Sequence, residues 1–169
     1  MTQPDSATTD VLSGDPALPS DPGRPDPQHE PPAEVDEATV VAVGGITAAL
    51  EVVDHARGML YAFHRLIGRA DLELQEALDQ LEKAGHQELA DGFRAEIVGR
   101  NVLEGRWSFQ IVEDFDDNYW GKFREAERLV RERLVGGRRH VYESTLKENE
   151  RTPGRRGHEA RPGEMRGDD

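Results

Sequence analysis

Ile46, Leu50, Val53, Leu60, Phe63 and Ile67 recur at steps of three, four and seven. That spacing is the period of one face of an α-helix and does not suit a strand, whose faces alternate every second residue. Ala49, Val52, Ala56, Met59 and Leu66 widen the apolar face, so the helix is expected to touch more than one neighbour. Gly68 reads as its stop.

The same period returns further on. Leu74, Leu78 and Leu81 make the seam of a second helix over Asp71–Lys83, with Asp71 as its cap and Gly85 as its end. Leu89, Phe93 and Ile97 mark a third, from about His86 to Asn101. Tyr119, Phe123, Ala126, Val130 and Leu134 mark a fourth, capped by Asp117 or Asn118 and stopped at Gly136-Gly137. Val141, Tyr142 and Leu146 suit one more short helix over 140–149. The β-branched run at 36–43 fits either a strand or the first turns of a helix, and Gly44-Gly45 reads as a break or kink. The fold expected is all-α: a small antiparallel bundle of about four helices within a domain over 36–150, its core over about 46–135.

Both ends read differently. Residues 1–35 hold eight of the ten prolines and little that is large and apolar, so they are expected to form a disordered, acidic tail. Residues 151–169, rich in Gly, Arg and Glu, are expected to form a second one. Over residues 138–169, Arg138, Arg139, Arg151, Arg155, Arg156 and Arg161 make a locally basic strip, diluted by glutamates.

A net charge of −13 repels phosphate and argues against nucleic acid as a general partner. The absence of cysteine excludes disulfides and thiolate chemistry and restricts any metal site to His, Asp, Glu or backbone oxygen. The N-terminal residues carry no secretory pattern, and no apolar stretch approaches the about 20 residues of a membrane helix. The expectation is a soluble cytoplasmic protein without a membrane role.

One stretch stands apart in chemistry. From Gly105 to Phe123 lie six aromatic residues and the carboxylates Glu113, Asp114, Asp116 and Asp117. Tryptophan and tyrosine beside charged groups are the material of interaction hot spots. Trp107, Phe109, Asp114, Asp117 and Trp120 are therefore the candidate partner-binding residues, the partner being another protein or a second copy of the chain. The competing reading puts these aromatics in the core, with the acids facing water. As a calcium loop from Asp114 the stretch offers Asp116, Asn118 and Glu125 at suitable positions, but Tyr119 stands where the loop needs glycine.

A second candidate is a divalent metal site built from Glu51, Asp54, His55, His64, Glu113 and Asp117. Glu51 and His55 are four apart and share a helix face. No Glu-x-x-His occurs, which weighs against a di-iron bundle site. Ser108 and Ser144 lie in no nucleophile elbow, and no phosphate-binding loop is present. Binding, rather than catalysis, is the role these residues suit best, with no cofactor required.

Overall fold

A computed structural model of the protein describes residue 23 and residues 25–162. The expectations for residues 1–22, 24 and 163–169 lie outside these described residues. The molecule is all-helical, and its long helices run antiparallel, as the apolar periodicity implied.

One helix, α1, spans Glu37–Lys83 and sets the frame. At 1.5 Å per residue its 47 residues extend about 70 Å. Asp36 caps it, its carboxylate accepting from the Thr39 N–H at 2.8 Å. At the far end Gly85 turns left-handed at φ +91°. The Gly85 and His86 N–H groups then reach back to the carbonyls of Glu82 and Leu81, closing a Schellman motif. Of the two readings left open for 36–43 the helix holds, starting at Glu37. Two expectations are corrected: Gly44-Gly45 do not break the helix, and Gly68 and Asp71 do not divide it.

The reason is a continuous heptad. Val43, Leu50, Arg57, His64, Asp71 and Leu78 fall seven apart, and Ile46, Val53, Leu60, Ile67, Leu74 and Leu81 fall three residues after each. From Ile46 to Leu81 every residue of α1 that is not exposed belongs to these two rows, Thr47 excepted. They are the a and d positions of a coiled-coil seam. Because its phase runs unbroken through Gly68, packing on one face outweighs the weak local preference of a single glycine.

The chain returns along that seam in two pieces. The first is α2, Gln87–Ile97, which packs on the C-terminal part of α1. Arg94 ties the two helices together, donating to Asp79 at 2.5 Å and lying 3.0 Å from Glu82. A tight turn follows, with Leu103 and Arg106 exchanging backbone hydrogen bonds around Gly105. The second piece is one run of helix made of α3 (Ser108–Asp114), a π-helical segment (Phe115–Trp120) and α4 (Gly121–Val135). The fourth helix thus begins at Ser108 and not at Tyr119. Asp117 and Asn118 lie inside it and cap nothing, the Asn118 amide donating to the Asp114 carbonyl at 3.0 Å. Pairs across the seam fix the antiparallel register: Thr47 with Glu127, Asp54 with Trp120, Arg57 with Asp116, His64 with Ser108.

Gly136, at φ +62°, ends α4, and α5 (Val141–Glu150) folds back onto the start of α1. Val40, Val43, Val135 and Val141 form the buried cluster there, with Val35, Val130 and Tyr142 against it. Gly44 allows the Tyr142 ring to approach, since a Cβ at position 44 would stand 2.6 Å from that ring. Residues flanking the domain also lie on it. Arg138 donates to the Glu30 carbonyl at 2.6 Å, His29 Nδ1 lies 2.8 Å from the Arg139 carbonyl, and Arg161 donates to the Pro25 carbonyl at 3.1 Å.

The outcome is a layer about two helices thick over much of its length, with little that is truly inside. Val135 is the largest completely buried side chain among the described residues. One window of α1 reaches a mean hydropathy of 1.3 with 22% of it buried, which by length and composition alone would suffice to cross a membrane. This departs from the expectation that no apolar stretch approaches the length of a membrane helix.

Candidate functional site

The middle of the seam is polar. Arg57, His64 and Asp71 occupy three successive a positions, where an apolar side chain is the usual choice. Arg57 meets Asp116 in a forked pair, Nε to Oδ1 and Nη2 to Oδ2, each at 2.7 Å. The Tyr61 hydroxyl donates to the same Asp116 Oδ2 at 2.7 Å. The Arg57 guanidinium lies 4.1 Å from the centre of the Trp120 ring, which Arg124 also approaches at 4.6 Å. The Trp120 indole N–H donates to Asp54 at 2.6 Å.

The electrostatics follow from these contacts. Arg57 holds the Asp116 carboxyl below its ordinary range, and Asp116 in turn raises the Arg57 guanidinium. Asp116 also raises the Tyr61 phenol, because the carboxylate accepts the phenol's proton as a hydrogen bond. Asp116 and Trp120 both come from the π-helical segment. An inserted residue of this kind bulges the helix, and such bulges are frequent at functional positions. The segment also fixes Gly121, since a Cβ there would stand 3.0 Å from the Asp116 carbonyl oxygen.

A different surface lies on the outside of α1. Val52, Met59 and Leu66 are 71%, 61% and 62% exposed. They follow one another at steps of seven, and Ala49, Ala56 and Phe63 stand at the g positions beside them. Ala48, His55 and Ala62 complete this face at the f positions. From Gly45 to Leu66 no c, f or g position carries Lys, Arg, Asp or Glu, in a chain that is 33% charged. The side-chain hydrogen bonds from α1 to the return helix over this length come from the other flank, at a and e positions: Thr47, Asp54, Arg57, Tyr61 and His64. The outer face is thus a second apolar seam with none of the other described residues over it.

The aromatic residues singled out in the sequence divide between these surroundings. Trp107 and Phe109 are exposed at the start of α3. Trp120 is half-buried in the polar network. Asp114 pairs with Arg106, and Asp117 faces solvent. Phe115, Tyr119 and Phe123 form a ladder of tilted rings at 5.7 and 6.0 Å, with Tyr119 exposed. From Ser108 onward the stretch is helical, so the calcium-loop reading fails: a loop that wraps oxygens around an ion cannot be continuous helix.

The metal candidates do not converge. His64 Nδ1 lies 2.9 Å from the buried Ser108 Oγ inside the seam, and His55 stands on the outer face. Asp54 is taken up by Trp120, Glu51 and Glu113 are exposed, and Asp117 faces solvent. No three His, Asp or Glu side chains among the described residues are grouped to hold an ion. Shared helix faces brought Glu51 and His55 near each other in the sequence, but a site needs ligands from a second element, and none arrives there.

In the sequence Val52, Met59 and Leu66 widen the apolar face toward a second neighbouring helix, but none of the described helices packs there. Their step of seven beside the a/d rows was the signal that marks them as a separate seam. The chain matches no family model, no curated protein and no solved structure.

Proposed function

We propose that this protein is a helical binding module that docks a helix of another polypeptide chain onto the outer face of α1. The observation that carries the reading is the run of exposed c and g positions from Ala49 to Leu66, apolar and free of charge. Contiguous exposed apolar surface on an otherwise charged molecule marks an interaction site. Its shape selects the ligand. It is one helix wide, and over residues 45–66 it extends roughly 30 Å. It also repeats at steps of three and four, which is how an amphipathic helix reads a groove.

A lipid occupant suits this surface less well. Arg57, Asp116, Asp54 and Trp120 pair alongside the same length of α1 and would enter hydrocarbon with it. Trp107, Phe109 and Tyr119, exposed on the return helix, supply further apolar and aromatic surface of the kind enriched at interface centres.

The test is a photo-crosslinking amino acid in place of Met59, introduced into the full chain in the cells it comes from. The expected result is an adduct with a polypeptide on irradiation. Irradiation that yields no polypeptide adduct at position 59 or at position 66 would overturn the reading.

A further inference from the structure

Resting on the binding reading above, we infer that the occupant of the outer face of α1 is the same helix of a second copy, packed antiparallel about a twofold axis near Met59. The size pattern of the face is what points there. Between Ala49 and Leu66 it is self-complementary when one copy is reversed on the other. Ala49 falls opposite Leu66, Val52 opposite Phe63, and Ala56 opposite Met59, each layer occurring twice by symmetry. Every layer sets a small or β-branched side chain against a large one, the arrangement that fills space between close helices without voids. An isologous contact requires this self-matching of one patch, whereas a patch evolved for an unrelated helix has no cause to show it.

The architecture agrees. Each chain is an antiparallel helical hairpin whose long helix carries two heptad seams, one covered by its own return helix and one left bare among the described residues. Two such hairpins joined along the bare seam make a four-helix core, the smallest arrangement in which both seams are buried. Gly45, at the end of the face, falls opposite Ala70, and a Cβ at 45 meets nothing within 4 Å in the single chain. The net charge of −13 per chain opposes pairing, but the contacting face carries none of it. Repulsion from the remaining charges is screened beyond about 8 Å at physiological salt. Pairing therefore strengthens as salt rises, the reverse of an electrostatically assembled complex.

The chain contains no cysteine, so introduced cysteines report geometry without background. Ala49→Cys and Leu66→Cys variants of the full chain, both altered at exposed positions, are oxidised separately and as a mixture. The wild-type chain is sedimented in parallel at low and high salt. The expected results are a dimer favoured by salt, and a disulfide between the two different variants. That disulfide should form at least about tenfold faster than in the urea-unfolded mixture. Rapid like-with-like disulfides, or a monomer at every concentration and salt, would overturn the inference. The adduct at position 59 separates the two levels: one with a different protein overturns self-pairing and leaves the binding reading standing, while the absence of any polypeptide adduct removes both.

Discussion

Arg57 and Asp116 close a forked ion pair at 2.7 Å in the middle of the α1 seam, at an a position where a heptad ordinarily carries an apolar residue. A pair of this kind specifies alignment more than it adds stability, because only one register of two antiparallel helices brings the fork and the carboxylate together. Asp116→Ala is expected to lower the melting temperature, since it leaves a guanidinium among apolar d residues without its anion. Replacing both partners, Arg57→Leu with Asp116→Leu, is expected to recover much of that loss. A thermal melt followed by far-UV circular dichroism checks both.

The same pair imposes a pH dependence. The Asp116 carboxyl is held below its ordinary value, first by the Arg57 guanidinium and then by Tyr61. A depressed carboxyl contributes stability that is present in full above its unfolded value, near 3.8, and is lost as pH falls through the lowered folded value. Acid unfolding is therefore expected to be shallower for Asp116→Asn than for the wild type below about pH 4. Urea midpoints measured between pH 6 and pH 2.5 test this. At the alkaline end, the Tyr61 phenol is raised by Asp116, so Tyr61→Phe should remove a late-ionising tyrosine from a spectrophotometric titration.

Glycines within α1 are expected to behave oppositely according to what faces them. At Gly44 a Cβ would stand 2.6 Å from Tyr142, so Gly44→Ala should disturb the packing of α5 on α1 and destabilise by about 1–3 kcal/mol. At Gly58 and Gly68 a Cβ meets nothing within 4 Å. Gly58→Ala and Gly68→Ala should each stabilise, by up to about 1 kcal/mol, through helix propensity alone. Denaturant midpoints of the three variants decide the matter.

Met59→Glu should separate folding from binding. Met59 is 61% exposed, so the change is expected to leave the stability of a single chain within about 0.5 kcal/mol of wild type. Association through the outer face should be lost, because an uncompensated carboxylate would then sit at its centre. Helix content by circular dichroism and particle mass by sedimentation, measured on one sample, read the two effects independently.

The existence and type of the helices were legible in the sequence, because apolar residues at helical spacing leave little choice of element. Their boundaries were less so. Gly68 and Gly44-Gly45 look like breaks locally and are overridden by a seam that keeps its phase on both sides of them. Asp117 and Asn118 look like caps, yet the helix has already started at Ser108, where Gln110 Oε1 accepts from the Trp107 N–H at 2.8 Å. The π-helical segment over Phe115–Trp120 has no local signature in the sequence. Trp120 could be seen as chemically unusual, but its setting between Arg57 and Arg124 depends on a distant part of the chain, with Asp54, 66 positions away, on its indole N–H. The metal reading failed for the same reason. Spacing along one helix reports which ligands share a face and says nothing of what a second helix brings to them.

The most direct test of the central claim is the oxidation rate of Met59 in the assembled protein. A methionine sulfur that faces solvent is open to peroxide, whereas one packed against another chain is shielded. The protein is pulsed with dilute peroxide at working concentration, and the sulfoxide at residue 59 is quantified by peptide mass spectrometry against the urea-unfolded chain. A covered outer face predicts marked protection of Met59, lost in Val52→Glu. Oxidation of Met59 at close to the unfolded rate, in the protein as it works, would contradict the account.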